Sequence, residues 1–151
     1  MSDGLRELYQ EVILDHSRRP RNFGEPKDCT RCAHGDNPLC GDEITIYVKV
    51  EKGVVERVYF EGRGCAISIA SASLMTEVMT GMKVDNARAL FSRFHHLVTR
   101  EAGSDNDWQE LEKLAVLSGV REFPVRVKCA TLAWHTLNAA LGEQSQTVTT
   151  E

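Results

Sequence analysis

The sequence has no apolar run long enough to span a membrane, and its first residues do not show the pattern of a secretory signal peptide. We therefore expect a cytoplasmic protein that does not enter a membrane. An excess of positive charge is also absent, because the formal net charge is −4 at pH 7, and this balance argues against nucleic acid as a partner. No Walker motif, dinucleotide-binding glycine pattern or Ser-His-Asp order occurs, so the common signatures of nucleotide sites and serine hydrolases are excluded.

Against this background the sequence contains five cysteines. In a reducing cytoplasm, cysteines bind metals or react more often than they form a disulfide framework. The 151 residues, 42% of them hydrophobic, can bury a core without help from a metal. We predict a single domain that covers residues 1–151.

Hydrophobic periodicity predicts a mixed fold. Alternating apolar residues over 43–50, a turn at 51–53 and a return strand over 54–62 indicate an antiparallel β-hairpin. Helical spacing predicts helices over 3–16, 65–80, 84–100, 108–117 and 129–141. A third short strand is expected, although no pattern places it. We predict an α+β fold in which a small antiparallel three-stranded sheet packs against about five helices.

Two segments have no apolar period. Residues 17–41 are rich in proline, glycine, aspartate and asparagine, which predicts a long surface loop. Residues 143–151 are polar, which predicts a frayed tail.

The segment Asn37–Asp42 places the thiol of Cys40 and the carboxylate of Asp42 two residues apart, with a glycine between them. The predicted hairpin returns the chain so that Cys65 can meet both groups. Cys129 can join them if the last predicted helix docks its first residues at the same place. Three thiols and one carboxylate could close a tetrahedral metal site. Positions at helix starts and near cations favour the thiolate form that binds metal.

A rival site remains open at this stage. Cys29-Thr30-Arg31-Cys32 has the Cys-x-x-Cys spacing of zinc ligands. Together with Cys40 and Cys65, this pair could form a different metal site. The alternative is that Cys29 and Cys32 are spare thiols on a loop.

Three motifs occur in order along the chain: Cys40-Gly41-Asp42 before a strand, Gly64-Cys65 before a helix of small residues, and Cys129 within Val127–Trp134. The N-terminal elements Leu8-Tyr9, Asp15-His16 and Pro20–Gly24 accompany them. With these motifs the chain resembles the IscU/SufU family of iron–sulfur cluster assembly proteins over residues 3–142. The resemblance implies the α+β fold of that family.

Three departures from the IscU pattern resemble the SufU branch. Lys128 stands where IscU proteins have a histidine, and Glu122–Arg126 replaces their chaperone-binding Leu-Pro-Pro-Val-Lys segment. The stretch between Cys65 and Cys129 is also longer, with the extra length expected within 94–119.

The SufU resemblance implies a Zn²⁺ ion held by Cys40, Asp42, Cys65 and Cys129. It also implies persulfide sulfur taken from a SufS-type cysteine desulfurase for delivery to a downstream iron–sulfur scaffold. Arg126 matches a basic position associated with function in this branch.

Cys40 is predicted to bear the persulfide, because it ends the predicted loop beside Gly41, whereas Cys65 and Cys129 open predicted helices. Arg126 is expected to favour the Cys40 thiolate or to guide the partner. Whether such a sulfur carrier counts as a sulfurtransferase enzyme is left open. One alternative is a scaffold on which an iron–sulfur cluster is assembled on the same ligands. Another is a zinc-stabilised interaction module without thiol chemistry.

Overall fold

The computed structural model describes residues 3–99, 112–142 and 148–149. Its sheet consists of β1 Arg31–Asn37, β2 Asp42–Glu51, β3 Val54–Arg63 and β4 Val148–Thr149, in the spatial order β3-β2-β1-β4. The first three strands are antiparallel neighbours, and β4 pairs in parallel with β1. The predicted antiparallel three-stranded sheet is confirmed, and β4 adds a two-residue extension at the β1 edge.

Five helical segments accompany the sheet within the described residues. They are α1 Asp3–Arg18, α2 Ala66–Met79, α3 Val84–Thr99, a 3₁₀ helix Glu112–Glu122 and α4 Pro124–Leu141. The predicted α+β class with about five helices is therefore confirmed. In the part of the chain that the structure describes, no helix combines the length and apolar character needed to cross a membrane.

The core lies between one face of the sheet and the helices α2, α3 and α4. Alternation along β2 buries Ile44, Ile46 and Val48 on this face. The indole of Trp134 on α4 stacks on Phe94 of α3 with ring centroids 4.1 Å apart. α4 also lies very close to β1 at Gly35. A Cβ atom added at Gly35 would be only 2.1 Å from the Oγ1 atom of Thr136, so only glycine leaves enough room there.

The prediction of a structureless loop over residues 17–41 is wrong where β1 lies. β1 is the third strand that the sequence pattern did not place. Its buried positions are Ala33, Gly35 and Asn37, which give no hydrophobic signal. The strand exists because its backbone pairs with β2 and its small residues admit α4 close to the sheet.

The start of α4 also differs from the prediction. The helix begins at Pro124, five residues before Cys129, with proline at one of its first positions. Proline is favoured there, because its missing N–H would have no partner in the first helical turn. Cys129 therefore lies inside α4 rather than at its N-terminus.

Two further predictions fall partly outside the described residues. Of the predicted helix 108–117, only residues 112–117 are described, and they belong to the 3₁₀ helix. Of the predicted tail 143–151, only Val148 and Thr149 are described, and they pair with Gly35 and Asp36 of β1.

Candidate metal centre

Asp42 is the first residue of β2, and it is completely buried. Its Oδ1 atom accepts a hydrogen bond of 2.9 Å from the backbone N–H of Cys65. A Cβ at position 64 would lie 2.4 Å from the same oxygen, so Gly64 is the residue that lets the chain pass the carboxylate. The first turn of α2 is thereby tied to the start of β2.

Cys65 precedes α2 as its N-cap residue, so the prediction that it stands at a helix start is confirmed. Its Sγ atom accepts a hydrogen bond from the N–H of Ser68 at 3.4 Å and lies 3.9 Å from Oδ2 of Asp42. The thiol of Cys65 therefore contacts both the helix end and the buried carboxylate.

Cys40 and Cys129 come from distant parts of the chain. Cys40 follows β1 in a tight turn, in which its N–H donates to the carbonyl oxygen of Asn37 at 3.1 Å. Its Sγ atom is 3.2 Å from that of Cys129. Asn37 also donates from Nδ2 to the Sγ of Cys129 at 3.9 Å. The docking of α4 on β1 is what brings the two thiols together.

Cys40, Asp42 and Cys129 each offer a ligand atom, and these three atoms all lie within 4.8 Å of one another. Cys65 is outside this mutual group, although its thiol contacts Asp42. In a tetrahedral zinc site with ordinary bond lengths, neighbouring ligand atoms are roughly 3.5–4 Å apart. The Cys40–Cys129 and Cys65–Asp42 separations of 3.2 and 3.9 Å are close to this spacing. The donor set fits zinc.

Burial strongly raises the pKa of the Cys129 thiol, and hydrogen bonds to Cys40 and Asp42 raise this pKa further. The residue is only 2% exposed. A buried thiolate beside a carboxylate is unfavourable unless a cation compensates its charge. Metal binding would provide that charge and release the thiol proton.

The thiols of Cys40, Cys65 and Cys129 face an open groove of about 430 Å³. Arg126 lines the same groove and is exposed, three residues before Cys129 and so on the same side of α4. Phe123 and Val125 on the groove wall are more than half exposed. The site is thus open to a partner rather than enclosed.

The structure argues against the rival site. Cys29 precedes β1 and Cys32 lies exposed near its start, whereas Asn37 and the Cys40 turn lie at its other end. Five residues of strand from Cys32 to Asn37 span about 16 Å. Cys29 and Cys32 therefore cannot share a metal with Cys40.

The sequence analysis assigned no role at the site to three residues around these ligands. Gly64 makes room for Asp42, and the side chains of Asn37 and Ser68 are completely buried. Among the described residues, the only buried side-chain polar atoms without a partner are Asn37 Oδ1 and Ser68 Oγ. Asn37 had a local signal, because asparagine before proline often opens a turn; Ser68 had none.

Comparison with known proteins places this geometry in a family. The NifU-like N terminal domain family matches residues 8–150. An iron–sulfur cluster assembly scaffold protein IscU of Thermotoga maritima is 42% identical over 142 residues, which cover 94% of this chain and 98% of the relative. The zinc-dependent sulfurtransferase SufU of Bacillus subtilis is 37% identical over 140 residues, with 93% of each chain covered.

A solved structure agrees with these relatives. A protein from Fervidobacterium islandicum AW-1, described as an iron–sulfur cluster assembly scaffold protein for the SUF system, has a TM-score of 0.80 and 31% sequence identity. The match covers 93% of this chain and 99% of that one. The chain therefore belongs to the NifU-like N-terminal domain family, in its IscU/SufU group of iron–sulfur cluster assembly proteins.

Proposed function

We propose that this chain is a SufU-type sulfur relay, which accepts sulfane sulfur on Cys40 at a zinc site formed by Cys40, Asp42, Cys65 and Cys129. The donor is a persulfide on a SufS-type cysteine desulfurase, and the recipient is a downstream iron–sulfur scaffold. The observation that carries this proposal is the convergence of three thiols and a buried carboxylate at an open groove. Zinc bound by these residues would keep the thiols as thiolates at neutral pH.

Cys40 is the thiol best able to leave the metal. The other ligands are held in β2, at the N-cap of α2 and inside α4. Cys40 sits on a turn whose neighbours Pro38, Leu39 and Gly41 are exposed. Gly41 has a φ of 71°, a conformation that glycine adopts without strain. A short exposed turn next to a glycine, rather than the long loop predicted from the sequence, gives Cys40 its freedom to move.

The transfer step is redox-neutral. The Cys40 thiolate attacks the terminal sulfur of the partner's cysteine persulfide, an S–S bond forms at Cys40, and the partner cysteine leaves as a thiolate. Asp42 stays in place because Oδ1 is bonded to the Cys65 N–H. The exposed guanidinium of Arg126 on the groove supplies positive charge for the approaching persulfide.

A scaffold for an iron–sulfur cluster on the same ligands is the second candidate. It is supported by the IscU relative of Thermotoga maritima, which is named a scaffold protein. Anaerobic purification separates the two functions, because a zinc protein is colourless and a cluster absorbs visible light. A cluster at one per chain in the freshly purified protein would favour the scaffold.

The test of the relay is peptide mapping. The zinc-loaded protein is incubated with a cysteine desulfurase and cysteine, and persulfide is located by mass spectrometry. We expect the label on Cys40 and no sulfur on Cys40→Ser, while Arg126→Ala slows transfer without loss of zinc. Label found chiefly on Cys65 or Cys129, with Cys40→Ser still charged normally, would overturn the assignment.

A further inference from the structure

Asn37 contacts both ends of the Cys40–Cys129 thiol pair. Its carbonyl oxygen accepts the N–H of Cys40 at 3.1 Å, which closes the turn that carries Cys40. Its side-chain Nδ2 donates to the Sγ of Cys129 at 3.9 Å. In the sheet it is paired with Asp42 on β2. A single residue thus adjoins three of the four proposed ligands.

The fold alone does not explain an amide at this position. Asn37 is 0% exposed, and its Oδ1 has no hydrogen-bond partner within the described residues. An unsatisfied buried polar atom costs about 1–3 kcal/mol. The other buried positions of β1 are the small residues Ala33 and Gly35, which carry no such cost. The amide is therefore better explained by what it does for Cys129 than by packing.

The amide distinguishes the two thiols. Its N–H group can donate to a thiolate on Cys129, and donors to a charged group are stronger than those to a neutral one. The Sγ atom of Cys40, in contrast, contacts the Sγ atom of Cys129. Asn37 hydrogen-bonds to Cys40 through its backbone carbonyl oxygen and not through its side chain. Groups that hydrogen-bond to ligands orient them and tune the metal.

We propose that Asn37 is a positioning residue whose side-chain N–H holds the Cys129 thiolate as the fixed ligand, so that Cys40 is the ligand that exchanges. This inference rests on the metal site of the proposed function. It assigns Asn37 no contact with the transferred sulfur. Its effect is expected to pass through Cys129 alone.

The test compares two changes in the same turn. Asn37→Ser keeps a residue that is favoured at the first position of the turn but is too short to reach Cys129. Pro38→Ala loosens the turn and keeps the amide. We expect zinc affinity, measured by competition with a chromophoric chelator, to fall about 10–100-fold in Asn37→Ser, the usual range for such supporting residues. Pro38→Ala should bind zinc as the wild type does.

The cobalt-substituted proteins provide a readout that a loss of packing would not mimic. A thiolate that loses a hydrogen bond donates charge more readily, so the sulfur-to-cobalt charge-transfer band should move to longer wavelength in Asn37→Ser. The band should stay in place in Pro38→Ala. Asn37→Asp, which has the same shape without the N–H, serves as the test if Asn37→Ser does not fold by circular dichroism.

A double-mutant cycle assigns the effect to one sulfur. In a Cys40→Ser background, Asn37→Ser should still weaken cobalt binding by about the same factor of 10–100. In a Cys129→Ser background, it should add almost nothing. Equal effects in both backgrounds, or an unchanged affinity and spectrum in Asn37→Ser, would overturn the role of Asn37 while leaving the zinc site intact. A wild-type protein that binds neither zinc nor cobalt would overturn the proposed function as well.

Discussion

Two polar clusters include residues at or within α2, and they differ in how their buried hydrogen-bonding groups find partners. The α1–α2 cluster consists of His16, Arg21, Ser73 and Glu77. Ser73 Oγ accepts the N–H of Arg21 at 2.9 Å and lies 2.7 Å from Nδ1 of His16. The other ring nitrogen of His16 faces Glu77 at 3.7 Å. In this cluster the buried hydroxyl of Ser73 and both ring nitrogens of His16 meet partners from the same chain.

The metal corner, which consists of Cys40, Asp42, Cys65 and Cys129 with the adjacent Asn37 and Ser68, is not complete by itself. Both buried side-chain nitrogen or oxygen atoms that lack a partner within the described residues belong to it. The pKa of its most buried thiol is strongly raised. In the α1–α2 cluster the chain itself satisfies the buried hydroxyl and imidazole, whereas at the metal corner it leaves two buried side-chain atoms without a partner, as expected if this corner holds the proposed zinc ion.

Among the variants that test the difference between the two clusters, Cys129→Ser should have the largest effect on zinc binding. We expect zinc affinity to fall by more than about 100-fold, the upper end for losing only a supporting residue, because a direct ligand is removed. Zinc per chain after gel filtration measures the effect. Ser73→Ala is the matched control, since it should destabilise the α1–α2 cluster by about 1–3 kcal/mol and retain one zinc per chain. Equal zinc contents in the two variants would contradict the assignment.

Removal of zinc with a chelator should lower the melting temperature without unfolding the chain. A ligand present at 100 times its dissociation constant stabilises a protein by about 2.7 kcal/mol. For a protein of this length, that corresponds to roughly 5–11 °C. Far-ultraviolet circular dichroism should keep its α+β shape, because none of the four proposed ligands belongs to the hydrophobic core cluster. A random-coil spectrum of the metal-free protein would show that the core is not self-sufficient.

Gly64→Ala should damage the metal corner through sterics alone. The added Cβ would meet Asp42 Oδ1 at 2.4 Å, so the carboxylate must move. We expect about a 10-fold loss of zinc affinity. Gly119→Ala is the control, because its added Cβ meets nothing within 4 Å. The assignment of Asp42 as a ligand fails if both variants bind zinc equally.

The α1–α2 cluster should show its own pH response. Burial lowers the pKa of His16 below 6.5, and the positive charge of Arg21 lowers it further. Below about pH 6.5 the unfolded chain therefore binds more protons than the folded one, and stability falls as the pH drops. Urea unfolding of wild type and His16→Gln at several pH values isolates this contribution. Parallel curves for the two proteins would show that His16 does not contribute it.

The smallest effect is expected from replacing both Cys29 and Cys32 by Ser. These residues lie at the far end of β1 from the metal corner, so zinc content and affinity should stay within experimental error of the wild type. Metal analysis of the purified double variant is sufficient. Loss of zinc in this variant would instead support the rival metal site that includes Cys29 and Cys32.

The prediction from sequence was most accurate where periodicity was strong. The β2–β3 hairpin with its turn at Lys52 and Gly53 was predicted almost to the residue. β1 was missed because its buried positions are small or polar. The start of α4 was predicted five residues too late, at Cys129 instead of Pro124, because proline is favoured in the first helical turn but adds nothing to an apolar period. Neither the small residues of β1 nor a proline can be assigned to a strand or a helix start from the local sequence alone, because the contacts that decide the assignment are tertiary.

The sequence by itself determined the α+β class, the order of the three cysteine motifs and the family, because these depend on local periodicity and on short segments with fixed spacing. Only the tertiary structure decided which thiols meet. The docking of α4 on Gly35 and β1 brings Cys129 to Cys40. Cys32 near the start of β1, and Cys29 before it, lie at the other end of the strand from Cys40. The burial that raises the Cys129 pKa and the unpartnered amide oxygen of Asn37 are likewise products of packing, since neither depends on neighbours in sequence.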